Sequence, residues 1–254
     1  MKKLWKAKLG AFGIHILFSA SIISIFMLII TQLWFPDELF NFENVWEGLR
    51  ILVPVDAIIG PLLTLVIFVP GKKGLKMDLS IIVSLQIAAL VYGASTIYSS
   101  RPEILAFVGD RFEVITRASY NASKIDRQYL KQINNSYPAL VYPLPAQNPD
   151  ELSHFVIENV QYQLMSDRYR PLNHFHDKVM SRSLDIDRLE PTLPDDIAKL
   201  NSFRKTYNSE QHALFILQGT TKDFIIVSLN MKSYEVAGYL TLDPWEVYKF
   251  PPKN

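Results

Sequence analysis

The run Arg50-Ile51-Leu52-Val53-Pro54-Val55-Asp56-Ala57-Ile58-Ile59-Gly60-Pro61-Leu62-Leu63-Thr64-Leu65, continuing to Val69, reads as a hydrophobic helix interrupted by two prolines, a glycine and an aspartate. Two further apolar stretches flank it, from Ala11 to Phe35 and from Leu79 to Tyr98. Each is close to the ~20 residues that an α-helix needs to cross a ~30 Å hydrocarbon layer. No such stretch follows Arg101. The expected fold class is a membrane α-helical protein with three transmembrane helices over residues 1–100. An extramembrane α+β domain over residues 101–254 should follow.

The average hydrophobic content of 49% blends these two halves and must be read by segment. A net charge of +1 gives no footprint for nucleic acid. With no cysteine in 254 residues, disulfides, CxxC redox chemistry and thiolate zinc sites are ruled out in this chain. Lys2, Lys3, Lys6 and Lys8 ahead of the first apolar run resemble a signal peptide. That run, however, outlasts the ~7–15 residues of a cleaved signal, so an uncleaved anchor is expected. Short-loop charge sets orientation. The loop after the first run carries Asp37, Glu38, Glu43 and Glu47, whereas Lys72, Lys73 and Lys76 separate the second run from the third. Lysines thus predict a cytoplasmic N-terminus, with the acidic loop and the C-terminal domain on the outer side. Trp34, Phe35 and Trp46 suit the outer interfacial belt.

Within the second run, Pro54 and Pro61 each remove a backbone donor, and with Gly60 they predict a kink. An ionised Asp at mid-helix costs ~2.5–3.5 kcal/mol on insertion scales, so Asp56 should face protein or water. Counted from Arg50 at 1.5 Å per residue, it lies ~9 Å below the outer surface, shallow enough for a water-accessible pocket. Three roles are open: a structural one, protonated or bonded to backbone loosened by the prolines; a grip on a partner helix; and transport. A lone acid without a paired relay speaks against transport. His15 and Gln86 enter the first and third runs from the cytoplasmic side, apart from Asp56, and a hydrogen bond between them is expected.

The segment from Val55 to Leu65 resembles the signature of the type IV pilin accessory protein family of Gram-negative bacteria. So do Gly13-Ile14-His15, Gly48-Leu49-Arg50-Ile51, Pro70-Gly71-Lys72, Leu75-Lys76-Met77-Asp78-Leu79, Gln86-Ile87-Ala88-Ala89-Leu90, and Arg101-Pro102 leading to Asp110-Arg111-Phe112. The resemblance covers residues 10–115. It implies an inner-membrane helper of type IV pilus biogenesis and twitching motility; in a bacterium the charge pattern above then puts the C-terminal domain in the periplasm. The implied partners are type IV pilin, the pilus assembly machinery and membrane lipid. No catalytic residue and no cofactor come with it, so a non-enzymatic role is expected. The candidate docking residues are our own reading of the spans: Asp56, Arg50, Pro54, Gly60, Pro61, His15 and Gln86.

In the C-terminal half, Ile104–Val108, Gly109-Asp110 and Arg111–Ile115 predict a hairpin with a type II′ turn that pairs Phe107 with Phe112 and Leu105 with Val114. Asn148-Pro149-Asp150-Glu151 opens a helix with its cap, proline and acids in place. Leu152, Phe155, Val156, Val160 and Leu164 follow at helical spacing and are expected to face the core. A second helix over Pro194–Tyr207 should turn Ile197, Leu200 and Phe203 inward. Three strands, from His212, Phe224 and Tyr234, should form a meander. His174-Phe175-His176-Asp177 reads as an exposed loop, and no nucleophile elbow, HExxH pair or Walker lysine occurs. Two other readings stay open: a membrane-anchored sensor acting through a partner, and a membrane enzyme that modifies pilin.

Overall fold

The computed structural model describes residues 2–35, 38–43, 45–207, 210–221 and 223–249. The chain divides into two compact units, Met1–Pro36 with Asn44–Ser100, and Asp37–Glu43 with Arg101–Asn254.

In the first unit, α1 (Lys2–Ile29) runs into a π-helical turn at Ile30–Trp34. A single helical turn, α2 (Leu39–Phe42), belongs to the second unit. Next come α3 (Trp46–Pro54), a π-helical turn at Val55–Ile59, and α4 (Gly60–Ile67), one continuous apolar helix. The unit closes with α5 (Leu75–Ser100). Lys2–Trp34, Gly48–Ile67 and Leu75–Ser100 are long and apolar enough to cross a membrane. Their outer faces are greasy: Ile14, Leu17, Phe18 and Val66 are all about 70% exposed. Where helices meet, small residues make room. A side chain at Gly93 would collide with Leu52, and one at Gly48 with Ile97. In lipid, such close backbone approach is a main source of helix association.

The prolines act through hydrogen-bond loss. Pro54 has no N–H for the Arg50 carbonyl, and Pro61 has none for the Ala57 carbonyl. The ladder responds unevenly, the Val55 amide bonding three residues back to Leu52 and the Gly60 amide five residues back to Val55. The expected irregularity at these prolines takes the form of a wide turn, and Asp56 sits in it.

The second unit is built on a seven-stranded mixed sheet: β1 (Pro102–Val108), β2 (Arg111–Thr116), β3 (Ala139–Pro143), β4 (Tyr169–Arg170), β5 (His212–Gln218), β6 (Phe224–Asn230) and β7 (Glu235–Leu240). Their order across it is β4-β3-β1-β2-β5-β6-β7. The hairpin has the expected register, Phe107 opposite Phe112 and Leu105 opposite Val114. Its turn is tighter than expected. Gly109 takes φ +67°, and the Asp110 amide donates to the Val108 carbonyl at 2.8 Å, a γ-turn. The meander β5-β6-β7 is present, whereas the parallel pairings of β1 with β3 and of β2 with β5 are additions to the sequence reading.

Side-chain alternation sends Leu105 and Phe107 to one face, with Phe112, Leu140, Phe215 and Val227, and onto it pack Leu39 and Phe42 of α2. Ile104, Ala106, Ile115 and Val141 face the other way, under α6 (Arg117–Ala122) and α7 (Arg127–Ile133). With both faces covered, β3, β5 and β6 read as nearly continuous apolar runs.

Two helix expectations need correction. The helix α8 (Pro149–Ile157) starts as expected, with Asn148 Oδ1 accepting from the Glu151 amide, but the expected stripe is buried only in part: Phe155 and Val160 are half-buried, and Leu164, past the helix end, packs against the core. Leu152, Val156 and Ile157 are 56–77% exposed. Helical spacing defines an apolar face but does not supply an element to cover it. After α9 (His176–Met180), α10 (Pro194–Thr206) turns Leu200 and Phe203 inward but leaves Ile197 exposed near its start. A short α11 (Pro244–Val247) follows β7.

Candidate functional site

The polar residues of the hydrophobic helices converge. His15 Nδ1 stands 2.6 Å from Thr64 Oγ1, and His15 Nε2 stands 3.0 Å from Gln86 Oε1. Because Gln86 Oε1 only accepts, His15 Nε2 carries the proton, and Nδ1 accepts from the Thr64 hydroxyl. The Gln86 amide is then free to donate, and it meets the Asp56 carboxyl. Thr64 to His15 to Gln86 to Asp56 is thus one directed chain of hydrogen bonds tying α1, α4 and α5 to the π-helical turn. Such chains strengthen in surroundings of low dielectric.

Gly60 makes the junction. A side chain there would collide with Gln86 Nε2, so the amide occupies space that a glycine leaves. Pro61 is buried beside it, Pro54 is half-buried, and Arg50 is exposed one turn before the wide turn.

The His15–Gln86 hydrogen bond is as expected. The separation of Asp56 from that pair is not, because Gln86 reaches both. Asp56 itself is buried. It is 5% exposed, and its Oδ1 has no partner among the described residues. A cavity of about 620 Å³ lies at the opposite end of the chain of hydrogen bonds, beside His15 and Thr64. Counting residues along a helix fixes depth but not the face, and the face decides the partners. Thr64 escaped the sequence reading; the available signal was a lone hydroxyl in an apolar run that also holds the other polar groups.

A second buried acid also escaped it. Glu43, read only as a charge in an acidic loop, is 4% exposed at the end of α2. Its Oε2 accepts from the Thr220 hydroxyl at 2.6 Å, while Oε1 meets no described partner. Burial, only partly offset by the Thr220 hydrogen bonds and assisted by Asp223, pushes its pKa up to about 7.

His176 Nδ1 stands 2.7 Å from the Tyr234 hydroxyl, and His174 is exposed. Among the described residues no three of His, Asp and Glu come together where they could hold a metal. The polar chain leaves one Asp56 carboxyl oxygen without a described partner, enclosed where three helices pack.

Three fimbrial assembly proteins of Dichelobacter nodosus are similar to this chain. The one of serogroup I is 30% identical over 116 residues, which is 45% of this chain and 44% of that protein. The one of serogroups C1 and C2 is 29% identical over 119 residues, 45% of this chain and 87% of that protein. The one of serogroup E1 is 29% identical over 116 residues, again 44% of its length. The match therefore spans less than half of two of these relatives. No family profile matches the chain, and no solved structure does. The resemblance to the type IV pilin accessory family, carried by residues 10–115, thus meets relatives named as fimbrial assembly proteins at about 30% identity.

Proposed function

We propose that this chain is a non-enzymatic inner-membrane accessory protein that supports type IV pilin stability, pilus assembly and twitching motility. The similarity to fimbrial assembly proteins carries this reading. Three helices of spanning length and composition support a membrane location. The positive-inside pattern supports a cytoplasmic N-terminus and a periplasmic C-terminal domain.

In this reading the helices dock the apolar N-terminal helix of a pilin subunit, and the sheet unit touches the pilin head. Apolar surface alone gives no preference in lipid, so specificity must come from close packing and polar groups. The ordered chain from Thr64 to Asp56 and the open face around Gly10 and Gly13, where an added side chain would meet nothing, suit that task.

Deletion should lower the number of surface pili and shrink twitching zones while growth is unchanged, and complementation should restore both. Normal pili and twitching in a deletion strain without a redundant helper would overturn the proposal. Orientation is tested with alkaline phosphatase fused after Asn254. An inactive but stable fusion would refute a periplasmic domain.

A further inference from the structure

We propose that a cleft beside the β1–β2 turn of the sheet unit binds a small carboxylate-bearing group. The cleft holds about 280 Å³, enough for one acidic side chain or one sugar acid. Its floor is aromatic, from Phe107 and Tyr142, and its rim carries Lys178, Arg182 and the phenol of Tyr162. No carboxylate lines it. Among the described residues neither cation makes an ion pair, and the acids nearby have other partners, although the charge of Glu113 reaches the Tyr162 phenol. Glu151 pairs with Arg168 at 2.7 Å, Asp110 pairs with Arg111 at 2.7 Å, and Glu113 accepts from Gln163 at 3.3 Å. Asp177 is exposed on α9 itself.

Lys178 is positioned by a neighbouring ring. Lys178 Nζ lies 5.6 Å from the centre of the Phe175 ring, and that ring stacks on Tyr142 at 4.1 Å and 7°. Lysine and arginine only donate. The Tyr142 side chain is 8% exposed, so its phenol joins the buried floor, and burial raises the pKa of both phenols and keeps them protonated. Donors thus dominate the cleft. The complementary ligand is rich in acceptors, negatively charged, and has a flat or apolar body for the aromatic floor. An acidic peptide segment and a free sugar acid share that chemistry. This site is independent of the pilus reading.

The test uses the full chain purified in detergent, with glucuronate and N-acetylglutamate amide as acidic probes. Glucose and N-acetylglutamine amide serve as their neutral counterparts, and saturation-transfer NMR reads binding. At least one acid should bind saturably, roughly fivefold or more tighter than its neutral counterpart. Lys178→Ala combined with Arg182→Ala should abolish that preference, and the milder pair Lys178→Gln and Arg182→Gln should do the same. Lys131→Ala, an exposed charge on α7, should leave it intact. Preference for glucuronate alone points to a sugar acid, and for the glutamate probe alone to an acidic peptide; either upholds the cleft. No preference for an acid, undiminished preference in both double variants, or an equal loss in Lys131→Ala would overturn it.

Discussion

Both units bury a carboxyl group with one oxygen that meets no described partner, Asp56 among the hydrophobic helices and Glu43 against the sheet, yet they solve the problem differently. Asp56 ends a chain of hydrogen-bonding groups drawn from three helices. Glu43 relies on one residue, Thr220, which lies 177 residues away in sequence. An acid in an apolar run stands out in any sequence; an acid in a polar loop does not. The difference teaches that the conspicuous group is tied to several helices, while the inconspicuous one rests on one distant loop residue and has its pKa pushed up to about 7.

The sheet unit also holds a fully paired acid, and removing it should have the largest effect. Glu103 accepts from Arg117 at 2.8 Å and pairs with Arg101 at 3.1 Å, all three side chains being mostly buried. Glu103→Ala leaves two cations without their carboxylate and should cost about 3 kcal/mol, read as a lower Tm of the full chain in detergent. A shift of less than 1 °C would mean that the pairing is unimportant.

Glu43 gives a pH signature. Its folded pKa of about 7 lies above the ordinary 4.5, so the unfolded chain releases this proton first as pH rises. Stability from this group is fully present below about 4.5, falls as pH rises towards 7, and is level above it. The span corresponds to roughly 3 kcal/mol. Glu43→Gln keeps an acceptor for Thr220 and should flatten this slope, raising Tm at pH 8 but not at pH 4.5. Parallel pH profiles for the two proteins would remove the electrostatic account of Glu43.

Asp56 should show the smallest response to a conservative change. Asp56→Asn keeps an acceptor for the Gln86 amide, so abundance in the membrane should be unchanged, whereas Asp56→Leu strands that amide and should lower it by about 1–2 kcal/mol of stability. Equal abundance of the two variants on immunoblots would show that the hydrogen bond contributes nothing. Cross-linking to pilin in the Asn variant separates the remaining roles. A loss at normal abundance assigns the charge to docking, and full retention assigns Asp56 to scaffolding.

Legibility followed the same divide. The hydrophobic runs, the prolines and Asp56 announce the helical unit, because each breaks or sustains a single local pattern. The Phe107–Phe112 register and the Asn148 cap were equally local. The pairing of β1 with β3, the packing of Leu39 and Phe42 onto the sheet, and the burial of Glu43 were not, since each depends on segments far apart in sequence. Leu152 and Val156 carry a helical period that is real while their burial is not. Within the candidate site, His15, Gln86 and Asp56 were visible as polar anomalies, but their junction at Gly60 depends on which faces of the helices meet.

The most direct test is capture of pilin by the full chain from its native membranes after brief cross-linking, with pilin quantified against an untagged strain. Enrichment of pilin is the predicted result. Stable recovery of the tagged chain without pilin would contradict the assembly role at its centre.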